Sequence, residues 1–188
     1  SGTLGYITGE LMAGQPLSQV VRRAKELGYT EPQPQDDLSG LDVARKALIL
    51  ARELGLDLEL EDVSVEPLVP AELLAEKDVD AFFAALEKYD PELEKRLEGM
   101  RRDGQTLRYL ARVEPGADGR PVLEVGPVGI PAEHPATRLR GAEAFVAFTT
   151  DRYQEYPLIV QGAGAGGDVT AAGVLADILR TAQTLRGN

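Results

Sequence analysis

Asp42 and Lys46 have the side-chain types and the spacing that acid–base chemistry needs. Four residues apart on a helix, they would share one face, where the carboxylate orients the ammonium group. A lysine in a partly dry site gives up its proton more readily, so such a pair can supply a proton to a developing alkoxide. The apolar run at 47–51 predicts a helix that is buried on nearly all sides. We therefore expect the pair to face a partly dry pocket.

Three more carboxylates, Glu31, Asp36 and Asp37, precede this helix in a segment that also contains Pro32 and Pro34. The two prolines predict an extended loop, because each restricts the backbone of its neighbour. Several carboxylates at a helix entrance can bind the ammonium group of a substrate, and this segment is the candidate binding site that spacing alone indicates.

Structural explanations of the same residues stay open. Asp42 follows Ser39 by three residues and can be the acidic half of a helix capping box. The Asp42–Lys46 pair can be an ordinary helix ion pair, worth roughly 0.2–0.5 kcal/mol. Asp36 and Asp37 can simply stabilise the N-terminus of the helix that follows.

A glycine-rich segment lies near the end of the sequence, where Gly162, Gly164 and Gly167 satisfy the pattern G-x-G-x-x-G. A predicted strand precedes it and a predicted helix follows, as in a dinucleotide-binding fingerprint. That fold would continue with a second parallel strand and an acid about 20 residues on, for which the sequence up to Asn188 leaves no room. Two interpretations remain: a tight turn with close packing, or one face of a site completed by another segment.

Composition excludes several classes of function. The net charge of −11 over 188 residues argues against nucleic acid and membrane partners, because both recruit clustered lysine and arginine. The absence of cysteine excludes disulfides, cysteine-ligated zinc and a thiol nucleophile, and fits a reducing compartment, so we expect the cytoplasm. The single histidine, His134, lies beside proline in a predicted loop, so neither a serine-hydrolase triad nor a metal site is expected.

Apolar spacing predicts three helices in the first part of the chain. The first contains Leu4, Ile7 and Leu11 at helical spacing. Ser18 is expected to cap the second helix, which ends at Gly28. The third is expected to run from a cap at Ser39 to about residue 54.

Strands and further helices are predicted after Gly55. Alternating leucines predict a strand from 56 to 60 that continues towards 65. Helices follow at 79–89 and from a cap at Asp90, with Pro91 in the first helical position. Four later strands and a last helix are expected at 107–113, 121–125, 143–150, 157–161 and about 168–185. Helices first and strands later predict an α+β fold, with helices on one side of a mixed, mostly antiparallel sheet and a C-terminal helix.

The segment at 28–46, GYTEPQPQDDLSGLDVARK, resembles the signature of homoserine dehydrogenases. Its Asp-Asp-Leu-Ser-Gly form is most similar to bifunctional aspartokinase–homoserine dehydrogenases. The start of the sequence resembles the family's Gly-Thr-x-x-Tyr-Ile segment, and residues 162–177 resemble its glycine-rich turn and C-terminal helix. Gln33 and Gln35 depart from the family pattern, which more often has Asp and Arg there.

The resemblance implies an oxidoreductase that interconverts L-homoserine and L-aspartate 4-semialdehyde with NAD or NADP. Lys46 matches the family's proton donor and Asp42 its acidic partner, so both are expected to be catalytic. Glu31 matches a substrate-binding glutamate, and Asp37 belongs to the same pocket. Gly166 matches a glycine that contacts the nicotinamide cofactor.

The resemblance also implies an organisation into three regions. Residues 1–106 would bind substrate and carry the catalytic groups, 107–161 would form a strand-rich region that pairs two subunits into a homodimer, and 162–188 would pack on a nucleotide-binding domain. That Rossmann domain would precede Ser1, together with a second lysine and a loop that holds a monovalent cation. We therefore expect residues 1–188 to be inactive alone.

Two other functions are weighed against this one. A non-catalytic dimerisation or regulatory module could keep the same fold, although the intact residues at 31, 42 and 46 argue against it. A self-sufficient nucleotide binder built on residues 162–167 would show measurable affinity for NADPH.

Overall fold

The structure is a computed structural model, and it describes residues 1–116, 120–141, 143–164 and 166–186. Its helices are α1 Gly2–Met12, α2 Leu17–Glu26, α3 Pro34–Leu38, α4 Leu41–Glu53, α5 Ala71–Leu74, α6 Val79–Arg102 and α7 Gly167–Arg186. Short 3₁₀ helices cover Leu60–Asp62 and Pro135–Arg138. The strands are β1 Ser64–Val65, β2 Gln105–Pro115, β3 Pro121–Pro131, β4 Glu143–Phe148 and β5 Leu158–Ala163.

The strands form two sheets. In the first, the order is β1–β3–β2, with β1 parallel and β2 antiparallel to β3. The second is an antiparallel pair of β4 and β5. The predicted α+β class, with a mixed and mostly antiparallel arrangement and a C-terminal helix, is confirmed, although the strands divide between two sheets.

The core lies between the first sheet and the helices. Leu4, Ile7 and Leu11 are all buried, as their helical spacing predicts. Tyr109 of β2 and Val125 of β3 belong to the same core, because alternate residues of a strand point to one face of the sheet. Helices α1, α4 and α6 contact β2, and α2 packs against α1 and α6.

Helix α6 is continuous over 24 residues, so the predicted break at Asp90 and Pro91 is wrong. The buried residues Leu86, Leu93 and Leu97 lie seven and then four positions apart, so one apolar face continues past the proline. Packing of that face outweighs the backbone hydrogen bond that a proline removes.

Asp90 makes its hydrogen bonds to another helix. Its carboxylate accepts a hydrogen bond of 3.0 Å from the Ser18 backbone N–H and one of 2.5 Å from the Ser18 hydroxyl. The prediction that Ser18 is the N-cap of α2 is therefore wrong, since the helix begins at Leu17 with Pro16 in the cap position. The carboxylate of α6 satisfies an N–H group at the start of α2 that has no partner within its own helix.

The segment at 56–65 is not the long strand that the sequence predicts. Only Ser64–Val65 forms a strand, and Leu60–Asp62 is a 3₁₀ turn. Glu59 and Asp62 form a reciprocal capping box, in which the Glu59 N–H donates to the Asp62 carboxylate at 2.8 Å. Glu59, one of the acids that alternate with leucine, therefore stabilises a turn together with Asp62, and the alternation is not that of a long strand.

The helix after the acidic loop also begins differently from the prediction. Residues at 34–38 form the short helix α3, and Ser39 lies at its C-terminal end. Gly40, in the left-handed conformation with φ of 76°, occupies the N-cap position of α4. Gly28 and Gly55 end α2 and α4 with positive φ, as predicted.

Arg108 is a buried cation that forms no ion pair with a carboxylate among the described residues. Its guanidinium donates hydrogen bonds to the backbone carbonyls of Leu107, Ala136 and Thr137 at 2.9–3.2 Å. Burial lowers the pKa of this group. The contacts fix the 3₁₀ helix at Pro135–Arg138 against β2, where the ring nitrogen Nδ1 of His134 accepts from the Ala136 N–H.

None of the helices in the described ranges is long and apolar enough to cross a membrane.

We expect Asp90→Ala to destabilise the protein. The variant leaves the N–H of Ser18, a residue that is 4% exposed, without its partner. The free energy of unfolding should fall by about 1–3 kcal/mol, the usual cost of an unpaired buried polar group. Urea denaturation measures the change, and Glu92→Ala, on an exposed position of the same helix, should stay within about 0.5 kcal/mol of wild type. Equal effects of the two substitutions would contradict this role of Asp90.

Candidate functional site

The candidate site lies where α3, α4 and the start of α1 meet. Asp37 is in α3 and Asp42 in the first turn of α4, with Gly40 in the junction between the two helices. Ser1, at the start of α1, lies near Lys46 and Asp42.

The Asp42 carboxylate and the Lys46 ammonium group form an ion pair, with 2.7 Å between Oδ2 and Nζ. Helical spacing therefore brings the two groups together on one face, as predicted. Their side chains are 53% and 63% exposed, so the expected partly dry pocket is absent from the described part of this chain. An exposed pair of this kind contributes about 0.2–1 kcal/mol to stability.

The exposure of the pair has a simple cause in the packing of α4. The helix buries one face against the sheet, with the residues Val43, Ala44, Ala47, Leu48 and Ala51. Ile49 is 60% exposed and Leu50 44%, so the apolar run at 47–51 is covered on one side only. The prediction of a helix buried on nearly all sides is therefore wrong for this chain, because composition shows that a face is apolar and not what covers it.

Asp37 links the acidic loop to α1. Its carboxylate accepts a hydrogen bond of 2.8 Å from the Glu31 backbone N–H. The Thr3 hydroxyl lies within hydrogen-bonding reach of the same carboxylate and donates to the Tyr29 carbonyl at 2.6 Å. These bonds bring Glu31 and Asp37 together, six residues apart in the chain.

Burial raises the pKa of the Asp37 carboxyl above its ordinary value. The hydrogen bond from the Glu31 N–H and the nearby Thr3 hydroxyl oppose that shift of the pKa, whereas the negative charges of Glu31 and Asp42 add to it. Three carboxylates thus act on one another at this site. A bound cation would relieve their repulsion.

Sequence reasoning missed Thr3 and Thr30. The Thr3 hydroxyl touches Asp37 although the residues are far apart in sequence, and its only signal was its place in the Gly-Thr-x-x-Tyr-Ile segment. The Thr30 hydroxyl oxygen, directly before Glu31, is buried and has no hydrogen-bond partner within the part of the chain that the structure describes.

The glycine-rich segment connects β5 to α7 and lies in an antiparallel hairpin rather than a parallel unit. A Cβ on Gly164 would lie 2.9 Å from the Ala144 Cβ, so close packing accounts for that glycine. Gly166 has φ of 125° and open space where a Cβ would stand. The structure therefore brings Glu31, Asp37, Asp42 and Lys46 together, whereas Gly166 lies directly before α7, an element that these contacts do not involve.

No group of three or more His, Cys, Asp or Glu side chains suited to hold a metal ion occurs within the described ranges.

The family model and the sequence relatives that match this chain all point to one family. A family model for homoserine dehydrogenase matches residues 1–179. The bifunctional aspartokinase/homoserine dehydrogenase of Haemophilus influenzae is 45% identical over 183 residues, which cover 97% of this chain and 22% of that protein. The homoserine dehydrogenase of Paracoccidioides brasiliensis is 40% identical, with 98% of this chain and 51% of that protein covered.

A solved structure is similar to this chain in both fold and sequence. The crystal structure of a Candida auris protein of unknown function has a TM-score of 0.88 and 38% identity, and the match covers 97% of this chain and 51% of that one. This chain thus spans 22% of the bifunctional relative and about half of the two fungal proteins. The predicted similarity to bifunctional enzymes is confirmed.

We expect Asp37→Asn to be at least as stable as wild type at pH 7, because burial makes the carboxylate costly to ionise. Folding raises the pKa of Asp37 above 3.8, so the folded wild type holds this proton more tightly than the unfolded chain does. Its stability relative to the variant is therefore greatest at low pH and is lost as the pH rises through the folded pKa.

Thermal melting of both proteins between pH 7 and about pH 4 tests this sign. Asp36→Asn is the matched control, since Asp36 is the exposed neighbour on the same helix. A wild type that loses stability relative to Asp37→Asn as the pH falls would contradict the expectation.

Proposed function

On the premise that the chain belongs to the homoserine dehydrogenase family, as the match over residues 1–179 shows, we propose that it is the substrate-binding and catalytic part of that enzyme. The reaction is the NAD- or NADP-dependent interconversion of L-homoserine and L-aspartate 4-semialdehyde. The observation that supports this most directly is the convergence of the Asp42–Lys46 pair with Glu31 and Asp37 at one junction.

The acidic residues bind and orient the substrate in this proposal. Glu31 and Asp37 are held together by the hydrogen bond from the Glu31 N–H. Their carboxylates attract the substrate ammonium group and place the other end of the molecule towards α4. Binding of this cation also offsets the repulsion among the carboxylates.

Lys46 handles the proton in the proposed mechanism. A nicotinamide cofactor, when bound, would supply the hydride that reduces the aldehyde carbon of the substrate. As negative charge develops on the carbonyl oxygen, the Lys46 ammonium group donates a proton to it and becomes a neutral amine. Asp42, 2.7 Å from Nζ, holds the ammonium group in position. In the oxidation of homoserine the neutral amine accepts the hydroxyl proton.

Gly166 is the residue of this chain that we propose for cofactor contact. Its positive φ and the open space around its Cα let a ligand approach the backbone closely at the start of α7. This is one contact, and it supports a cofactor held mainly by another part of the protein.

We also propose that other surfaces cover the exposed apolar parts of residues 107–186. Leu158 and Val160 of β5 are exposed, and α7 exposes the stripe Val174, Leu175, Ile178 and Leu179, each more than half accessible. Contiguous apolar surface of this kind marks interaction sites. We assign residues 107–161 to the pairing of two subunits into a homodimer and 162–188 to contact with a nucleotide-binding domain. We propose the cytoplasm as the location.

In the full-length enzyme, we expect Lys46→Ala to lower kcat for homoserine oxidation by about 10²- to 10⁴-fold, the usual cost of removing a general acid–base group. Spectrophotometric assay of NADPH formation measures it. Lys88→Ala, an exposed lysine on α6, is the control and should leave kcat within about twofold, as surface substitutions usually do.

Two results would count against the proposal. If Lys46→Ala keeps activity within about tenfold of wild type, Lys46 is not the proton carrier. If the full-length wild type turns over no homoserine at all, the alternative of a non-catalytic dimerisation or regulatory module is favoured.

Residues 1–188 alone should show no saturable NADPH binding up to about 1 mM in calorimetry. The reason is that β4 and β5 are antiparallel, so the glycine turn lies outside the parallel strand–helix–strand unit that surrounds a dinucleotide. Saturable binding with a stoichiometry of one would instead support a self-sufficient nucleotide binder on residues 162–167.

A further inference from the structure

We propose that Tyr109 of β2 is a positioning residue for this site, because it fixes the Gly40 junction and so sets Asp37 against Asp42 and Lys46. The inference rests on the proposed function. It assigns a role in the reaction to a side chain of the sheet, which acts through Gly40 and Glu66.

The Tyr109 ring lies directly against the backbone of Gly40. A Cβ on Gly40 would be 1.8 Å from the Tyr109 hydroxyl oxygen and 2.7 Å from its Cζ. Tyr109 is 7% exposed. Glycine is therefore required at position 40 for two reasons, its φ of 76° and the ring that occupies the space of a side chain.

The Tyr109 hydroxyl is also tied to a neighbouring segment. It donates a hydrogen bond of 2.7 Å to the Glu66 carbonyl. The Glu66 N–H donates to the Val125 carbonyl of β3 at 2.8 Å, and the Leu68 N–H donates to the Leu38 carbonyl at 2.9 Å. The segment at 66–68 is thus fixed to the sheet at one end and to the last residue of α3 at the other.

These contacts hold both helices of the site to one sheet. Leu38 ends α3, one residue after Asp37, and Leu41 begins α4, one residue before Asp42. A shift of the backbone at Gly40 would change the position of one carboxylate relative to the other. Misplacement of reacting groups by about 1 Å can reduce a rate by about 10²-fold, so a fixed junction has a direct value for catalysis.

The Tyr109 hydroxyl can keep its hydrogen bond to the Glu66 carbonyl as the pH changes. Burial, and next the charge of Glu66, raise the pKa of Tyr109 to about 12. The group therefore stays protonated and donates to Glu66 over the whole range in which an enzyme of this kind is assayed.

Tyr109→Phe in the full-length enzyme tests the inference, because the ring stays and only the hydrogen bond to Glu66 is removed. We expect kcat for homoserine to fall about tenfold while the KM for the cofactor is unchanged and the protein stays folded at the assay temperature. Tyr89→Phe is the matched control, since Tyr89 is a partly buried tyrosine that packs against the core from α6, and it should leave kcat within about twofold.

A second measurement is independent of activity. Hydrogen exchange of the amides of Gly40 and Ala44, which donate to the carbonyls of Asp37 and Gly40, should become about tenfold faster in Tyr109→Phe, as expected when local opening is easier. Exchange in the middle of α6 should not change. A purely structural role in the core would lower stability throughout the chain and would affect both regions alike.

The outcomes separate the two proposals. An inactive wild type would overturn the proposed function, and hydrogen exchange would still decide whether Tyr109 fixes the junction. An active wild type with Tyr109→Phe within twofold of its kcat would overturn the inference. Unchanged exchange at Gly40 and Ala44 would also overturn it, as would a loss of activity that is fully explained by a smaller folded fraction.

Discussion

The left-handed backbone of Gly40, packed beneath the ring of Tyr109, is the constraint on which the candidate site depends. It ends one helix and begins the next within three residues, so that the carboxylates of α3 and α4 come close enough to affect each other's ionisation. A residue with a Cβ would be strained in this conformation and would also meet the ring. In our proposal, the sheet therefore sets the positions of the candidate site residues, through a contact between a strand and a turn.

Electrostatic repulsion is built into the same site. Asp37 is partly buried next to Glu31 and Asp42, and burial raises its pKa despite the hydrogen bonds it accepts. Such an arrangement contributes little to folding and costs free energy when the carboxylate ionises. Sites that bind charged substrates often have this property, because the ligand supplies the charge that the folded chain lacks. In our proposal, this repulsion is offset when the acidic cluster binds the ammonium group of the substrate.

Several parts of the chain expose ionic or apolar side chains. The Asp42–Lys46 pair is more than half exposed, and Ile49 continues the exposed face of α4. A two-stranded sheet such as β4–β5 is marginally stable by itself, and α7 exposes an apolar stripe. Within the relatives, the matched region is 22% of a bifunctional protein and about half of a fungal one. These surfaces are where the homodimer and the nucleotide-binding domain of our proposal would make contact.

The sequence by itself determined the features that depend on near neighbours: the helical face of α1, the glycines that end α2 and α4, the ion pair at 42 and 46, and the family signature around it. Tertiary structure decided the rest. Pro91 continues a helix because Leu93 and Leu97 are buried beyond it, and Asp90 bonds to Ser18, 72 positions away in the chain. The hydroxyl of Thr3 donates a hydrogen bond to Tyr29, 26 positions away in the sequence, and that of Tyr109 donates to Glu66, 43 positions away. Local sequence patterns indicate the periodicity of a helix or strand and the residues that cap a helix. The partner of a polar group and the residues that cover an apolar face depend instead on parts of the chain that only folding brings together.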